Sequence, residues 1–513
     1  MSNEGITMNN FILTRKRHLA FLPVLIITLV FILSCTGPSS QQREKITVYQ
    51  SSVSLGDPHI CSDSVNRLSL IFSVYEALVK RDQAGAYQPS LAEAWDVEED
   101  GRTWTFHLRK DVMFHNGNFL SAEDVVATLG RVLDPAIGGS FGTQGVYLSY
   151  LENAKISAID KMTVRIVTAE PMADLLDLLV AMPVSPAGEL DKLPDEYMGS
   201  GPYKIVEQNT DRTVLKAFDE YWGKAPEYRA IQWIAEPSAE KRVEALISGK
   251  ADIIFGVDTE GRKQIRSSGL TDIQELESGL CIIFMCNAFE GPCCDRRVRQ
   301  ALNYGLDVDR IIAEIKQGAA TPLSGYLTPH HFGHNPETAV YPYDPEKARS
   351  LLAEAGYENG LKLTFDIPAA MPDEAPNLAR MMAIQLQEVG ISVEIVTHED
   401  RAAYSEMVRG KNIHDACCFD SSPRSTFRVL REKIQSDLRG PWWEGYENSE
   451  VNTMIEQAQA TFSDTERQQI YRRIYQLIHD DAPWIFLYNP TYYWGVGPRL
   501  KDWQPRADSL LIF

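Results

Sequence analysis

The sequence predicts a mixed α/β chain of more than one lobe, and three observations carry that expectation. Trp104, Phe106 and Leu108 alternate with Thr105, His107 and Arg109, the period-two pattern of a half-buried strand. Residues 361–397 read as strand, helix, Gly390, strand, a candidate βαβ crossover. Beyond Ser34 lie 479 residues, enough for two or three packed lobes with a large buried core.

The elements follow in order. Ile46 and Val48 begin a strand. Asn116-Gly117 supplies a turn after the Trp104–Leu108 run. Ser121 with Asp124 three residues on resembles a capping box, so a helix is expected from about Ala122 to Leu133, stopping before Pro135. Residues 156–167 read as a hairpin across Asp160-Lys161, and 213–218 and 231–234 as strands. A helix over 239–248 closes at Gly249. Asp344-Pro345 opens another, with proline at the first helical position and Gly356 past its end. The crossover unit then reads as strand 361–367, helix 376–389 and strand 391–397. The chain carries no internal repeat and no long low-complexity tract.

The start of the chain has a different character. Arg15, Lys16, Arg17 and His18 precede an apolar run over 19–33 that contains Pro23. A basic stretch, a short apolar stretch and a small residue at the seam describe an export signal. The run is short for a membrane span, which needs about 20 apolar residues. Ile32-Leu33-Ser34-Cys35 resembles the bacterial lipobox, although Leu33 is bulkier than the small residue usual there. Residues 1–34 are therefore read as a lipoprotein signal peptide, with Cys35 as the lipidated residue. An uncleaved anchor helix is the other reading. Either way the remainder lies outside the cytoplasm, periplasmic or on the outer face of the membrane, and the Ser- and Gln-rich stretch 36–43 is a flexible spacer.

The formal charge is −20; the leader holds Arg15, Lys16 and Arg17 against Glu4, so the remainder carries −22. That balance argues against a nucleic-acid partner, whose affinity rests on basic phosphate contacts. It argues equally against direct adhesion to anionic lipid. Seven cysteines follow Cys35: Cys61, Cys281, Cys286, Cys293, Cys294, Cys417 and Cys418. The odd number leaves at least one free thiol in a monomer, and one or two disulfides of unread connectivity are expected. The adjacent pairs lack the two-residue gap of a zinc knuckle.

The block from Val74 to Pro135, "VYEALVKRDQAGAYQPSLAEAWDVEEDGRTWTFHLRKDVMFHNGNFLSAEDVVATLGRVLDP", resembles the signature region of the family 5 solute-binding proteins, the peptide- and nickel-binding receptors of ABC importers. The resemblance continues in "GSGPYKIVE", "YWGKAPEYRAIQWI", "ALISGKADIIFG", "CNAFEGPCCDRRVRQALNYGLDVDRII" and "YDPEKARSLLAEAGY", in order along nearly all of the chain beyond the leader. It implies a periplasmic-binding-protein-like type II fold, two lobes that close on a ligand by hinge motion. Lobe I would comprise 36–65, 190–278 and 486–513, with an extra α/β subdomain, 66–189, inserted. Lobe II would be 279–485, and crossovers near Gly279 and Pro483 would act as hinges. The implied activity is capture of a peptide or peptide-like solute and its delivery to a permease and its ATPase subunits, with no catalysis and no cofactor. A nickel or metal-chelate receptor of the same family, and a sensor or enzyme on the same fold, are the alternatives.

The resemblance also implies where a ligand sits. Leu55-Gly56-Asp57-Pro58 resembles the family's LDP turn, which places Cys61, Ser62 and Asp63 near the ligand. Phe141 and Tyr147 stand where the inserted subdomain reaches the cleft. In peptide-binding members a tryptophan and then an aspartate, four residues before a proline, anchor the ligand's α-ammonium group. Here Ala416 stands near the tryptophan place and Phe419 at the aspartate place, with Asp420 one residue late. Arg424 and Arg428 follow, each able to clamp a carboxylate bidentately. Trp442, beside Trp443, is a further candidate contact surface.

Two motifs point elsewhere and fail on context. Gly138-Gly139-Ser140-Phe141-Gly142 spells GxSxG, but a helix end with Pro135 precedes it where a nucleophile elbow needs a strand. His330, His331 and His334 lie in a loop bracketed by Pro329 and Pro336, with no helical spacing to align three imidazoles and no carboxylate immediately beside them.

Overall fold

The computed structural model describes residues 43–513, save 61–63, 83–84, 138–143, 152, 270–271, 371 and 423. The GxSxG stretch, Cys35 and the leader lie outside these residues. No described helix is long and apolar enough to cross a membrane.

The expected alternation is realised. Thr103–Leu108 is a strand with Trp104, Phe106 and Leu108 buried. It lies second in a four-stranded antiparallel sheet ordered 92–97, 103–108, 163–167, 155–160. The helix that packs on this sheet spans Ala122–Val132; the Asp124 carboxylate accepts from the Ser121 N–H (2.9 Å) and hydroxyl (2.8 Å).

Apart from a two-stranded pair, 79–81 with 87–89, the other described strands form a twelve-stranded mixed sheet. Its path runs 391–398, 361–368, 416–421, 281–286, 484–496, 253–255, 43–50, 228–235, 212–217, 203–208. The crossover unit is present: Leu361–Pro368 pairs in parallel with Ile391–His398, joined by the helix Ala375–Glu388. Gly390 between helix and strand has φ +89°, a left-handed turn that glycine takes without a Cβ penalty.

The strand Trp484–Val496 joins the two halves of this sheet. Its first part pairs with Cys281–Cys286 and with Ala320–Pro322, the latter up to Pro490. From Thr491 its partners become Ile273–Glu277 and then Ile253–Phe255. Pro490 has no N–H to donate, and it marks the place where partners change. Ser278 is fixed there twice, its N–H donating to Pro490 O (3.0 Å) and its carbonyl accepting from Asn489 Nδ2 (3.1 Å).

The "GSGPY" motif has a packing cause. The Gly201 N–H donates to Val74 O (2.9 Å), and a Cβ on Gly199 would stand 2.1 Å from that same carbonyl oxygen. Backbone cannot step aside as a flexible side chain does, so Gly199→Ala is expected to destabilise by about 1–3 kcal/mol. Urea unfolding measures this, and an unchanged midpoint would show that the two segments do not meet so closely.

None of the expected disulfides is formed in this structure among the described residues: Cys281, Cys286, Cys293, Cys294, Cys417 and Cys418 carry unlinked thiols. Cys417 and Cys418 are neighbours on one strand, Ala416–Ser421, so their side chains enter opposite faces of the sheet.

Candidate functional site

Three segments distant in sequence meet beside the strand end at Ser421. They are the loop and helix start at 424–428, the helix-to-strand passage 68–82, and the C-terminal stretch 506–512. A cavity of about 480 Å³ lies among them, and a neighbouring one of about 750 Å³ extends from it between residues 85–104, 173–177, 329–332 and 462–467. Arg81, Asp177, Arg424 and Asp508 line both.

The smaller cavity is walled largely by apolar side chains, among them Leu68, Phe72, Val79, Val180, Leu510 and Ile512. Glu76 sits in its wall. Burial raises the Glu76 carboxyl above its usual range, and its oxygens accept from Tyr221 (3.0 Å), Ser200 (2.9 Å) and Trp222 (2.8 Å). The larger cavity carries aromatic walls, Trp95, Trp104, Tyr87, Phe332 and Phe462, with Arg467 and Asp174.

Arg424 reaches from the loop after Ser421 to the C-terminal stretch, donating to Ala507 O (2.7 Å) and Ser509 Oγ (2.9 Å). Ser425 caps the helix Thr426–Lys433, accepting from the Arg428 N–H, and its hydroxyl donates to Asp177 Oδ2 (2.6 Å). Asp177 also pairs with Arg81. One helix cap is thereby tied to the body around the four-stranded sheet.

Further ties between the same two bodies lie alongside. Tyr150 donates to Glu432 Oε1 (3.2 Å), which also accepts from Arg428 Nε (3.0 Å). Tyr471 donates to Asp174 Oδ2 (2.8 Å), and the Ala173 N–H donates to Gln459 O (2.8 Å). Burial raises the Asp174 carboxyl, against the opposing pull of Arg467.

The remaining predicted residues fall as follows. Ser62, Asp63 and Phe141 lie outside the described residues. Tyr147 is buried in the core of the four-stranded body. Phe419 and Trp442 pack on one another with ring centroids 4.9 Å apart and line neither cavity. Asp420 faces Arg401 at 3.8 Å, whose guanidinium also lies 5.5 Å from the Phe419 ring. Trp443 donates to Tyr446 O. His331 is buried with its Nδ1 against the Thr328 hydroxyl (3.0 Å), and His334 lies edge-on to Tyr475. Among the described residues no group of three His, Cys, Asp or Glu side chains is placed to hold a metal ion.

Sequence reasoning missed the role of the LGDP turn. Asp57 accepts both Arg131 amino groups, at 3.0 and 2.6 Å. Burial alone would raise its carboxyl; the Arg131 hydrogen bond and charge outweigh this and lower it. His59 stands beside the pair. Arg131 donates to its Nδ1 (3.1 Å), so its proton is on Nε2, facing Pro183 O (3.0 Å). Burial, then the Arg131 charge, push the His59 pKa from 6.5 down to about 4.

The folded state therefore binds fewer protons than the unfolded one between those values. The His59 contribution to stability is full above pH 6.5 and lost as pH falls toward 4. Relative to a His59→Asn variant, the wild type is expected to lose on the order of 3 kcal/mol across that window. Melts at pH 7 and pH 4 check this; parallel losses in both proteins would contradict it.

The chain is 29% identical over 465 residues to the heme-binding protein A of Haemophilus influenzae, covering 84% of each. It is 29% identical over 448 residues to the dipeptide-binding protein of Escherichia coli, covering 81% of this chain and 83% of that one. Among solved structures it resembles the periplasmic binding protein DppA of Helicobacter pylori in complex with the peptide STSA. That match has a TM-score of 0.76 at 23% identity, covering 89% and 94% of the two chains, and supports the type II binding-protein fold. The family model for bacterial extracellular solute-binding proteins, family 5, matches residues 86–417. With that match over more than half its length, this chain belongs to the family 5 extracellular solute-binding proteins.

Proposed function

We propose that this chain is the receptor of an ABC importer, capturing a peptide or peptide-like solute between two lobes and handing it to the permease. The observation that carries the reading is the pair of adjoining cavities at the meeting of three distant segments, with Arg81, Asp177, Arg424 and Asp508 common to both. Dipeptide- and glutathione-binding proteins among the relatives point to a peptide-like ligand, as do solved neighbours holding STSA and a nonapeptide.

In this reading the lobes are 36–65 with 190–278 and 486–513, and 279–485, with 66–189 inserted into the first. The hinge falls where Ser278 meets Asn489 and Pro490, since a few element-ending residues absorb closure. Arg424 meets the ligand at the seam, with Asp420 available to a cationic end if Arg401 turns aside. Ser62, Asp63 and Phe141 are the further proposed contacts, whereas Tyr147, Phe419 and Trp442 are packed away from both cavities. Cys35, lipidated, keeps the receptor at the membrane beside its permease. The work is selection, and no catalytic step is assigned.

Tryptophan emission tests this, because Trp95 and Trp104 line the larger cavity. Titration with a pool of short peptides is expected to give a saturable change, with haemin and a nickel chelate giving none. Saturation by haemin or the chelate alone would replace peptide with that ligand class.

A further inference from the structure

We infer that Cys286 and Cys293 form a disulfide in the exported protein, stapling the end of a central strand to the start of the following helix. Cys286 closes the strand Cys281–Cys286, and Cys293 lies in the short helical turn Pro292–Cys294 that leads through Asp295 into the helix Arg296–Tyr304. Both side chains are buried, at 2% and 0% exposure, in one apolar cluster. Their thiols are in hydrogen-bond contact.

The loop between them is fixed so that it doubles back. Asn287 Oδ1 accepts from the Phe289 N–H (3.0 Å), and Ala288 N–H donates to Glu444 O (2.8 Å). Gly291 turns the chain at φ +80°. On the far side, Arg299 donates to Cys293 O (2.9 Å) and Cys294 O (3.0 Å), holding the turn in place.

The other described cysteines are worse placed. Cys281 and Cys417 belong to the cluster on the opposite face of the sheet. Cys418 shares the face, but Cys286 pairs with Ala416, which makes Cys418 a diagonal neighbour. Diagonal places lie about 7–8 Å apart, beyond ordinary disulfide reach. Cys294 is exposed, with its Sγ donating to Ala288 O (3.4 Å), away from the buried pair.

Family 5 members are extracellular, and disulfides persist in such oxidising compartments. The oxidant is the disulfide of a thiol–disulfide exchange protein, acting while the chain folds and both thiols are still reachable. One cysteine thiolate attacks that disulfide and forms a mixed disulfide. The second thiolate then displaces the partner's sulfur, joining Cys286 to Cys293. Two electrons and two protons pass to the partner, which leaves as a dithiol.

The test uses the full chain expressed with its leader and recovered from the exported fraction. Thiols are alkylated under denaturing, non-reducing conditions, and the chain is cut after glutamate, so that Glu290 separates the two cysteines. The expected product is a linked pair of peptides, two hydrogens lighter than their sum, whose fragments join Cys286 to Cys293. The link should persist in the Cys281→Ser and Cys294→Ser variants and disappear on reduction. Independently of any variant, the wild-type chain is melted oxidised and reduced, and reduction should lower the melting temperature. Full alkylation of both residues in the exported chain, or a link to any other cysteine, overturns the inference.

Discussion

Glu432→Ala is expected to lower the unfolding free energy by about 3–5 kcal/mol, the range seen when one partner of a buried ion pair is removed. Glu432, Arg428 and Lys433 are 3%, 5% and 3% exposed. The carboxylate accepts from Arg428 Nε (3.0 Å) and Tyr150 (3.2 Å), and Lys433 Nζ lies 4.0 Å away. Without it two buried cations lose their shared counter-charge. Glu432→Gln keeps the volume and an acceptor and should fall between. Tyr150→Phe removes only one hydrogen bond and should cost about 1 kcal/mol. Chemical denaturation measures all three, and a Glu432→Ala midpoint equal to wild type would mean that the cluster is open to water.

Arg424→Ala is the second large effect, on binding. Arg424 lines both cavities, where its guanidinium donates to Ala507 O and Ser509 Oγ, and in the proposed reading the same side chain meets the solute there. Charge-assisted hydrogen bonds contribute about 1.5–3 kcal/mol, so the dissociation constant should rise by roughly 10- to 100-fold. Arg424→Lys should recover part, since it keeps charge without the planar fork. Calorimetric titration with a peptide that binds the wild type decides it. Unchanged affinity in Arg424→Ala would move the ligand away from this seam.

Local pattern made much of the fold legible. The alternation at Trp104, Phe106 and Leu108, the Ser121–Asp124 cap and the strand–helix–Gly390–strand unit each depend on residues close in sequence, and each is present. The joining strand Trp484–Val496 was not read. It is buried almost throughout, so it lacks alternation, and Pro490 inside it argues against a strand until the change of partners is seen. The site was less legible for a related reason. Arg81, Asp177 and Asp508 meet Arg424 across hundreds of residues, and no spacing rule reports that. Asp57 belonged to a recognised turn, yet its binding of Arg131 on a separate helix carries no local signal.

The most direct test of the account is native mass spectrometry of residues 36–513, purified from cells without added ligand. One bound species in the mass range of a peptide is expected, released on unfolding and lost or weakened in Arg424→Ala. A chain that stays empty, and remains so when offered peptides, metal chelates and sugars, would contradict it.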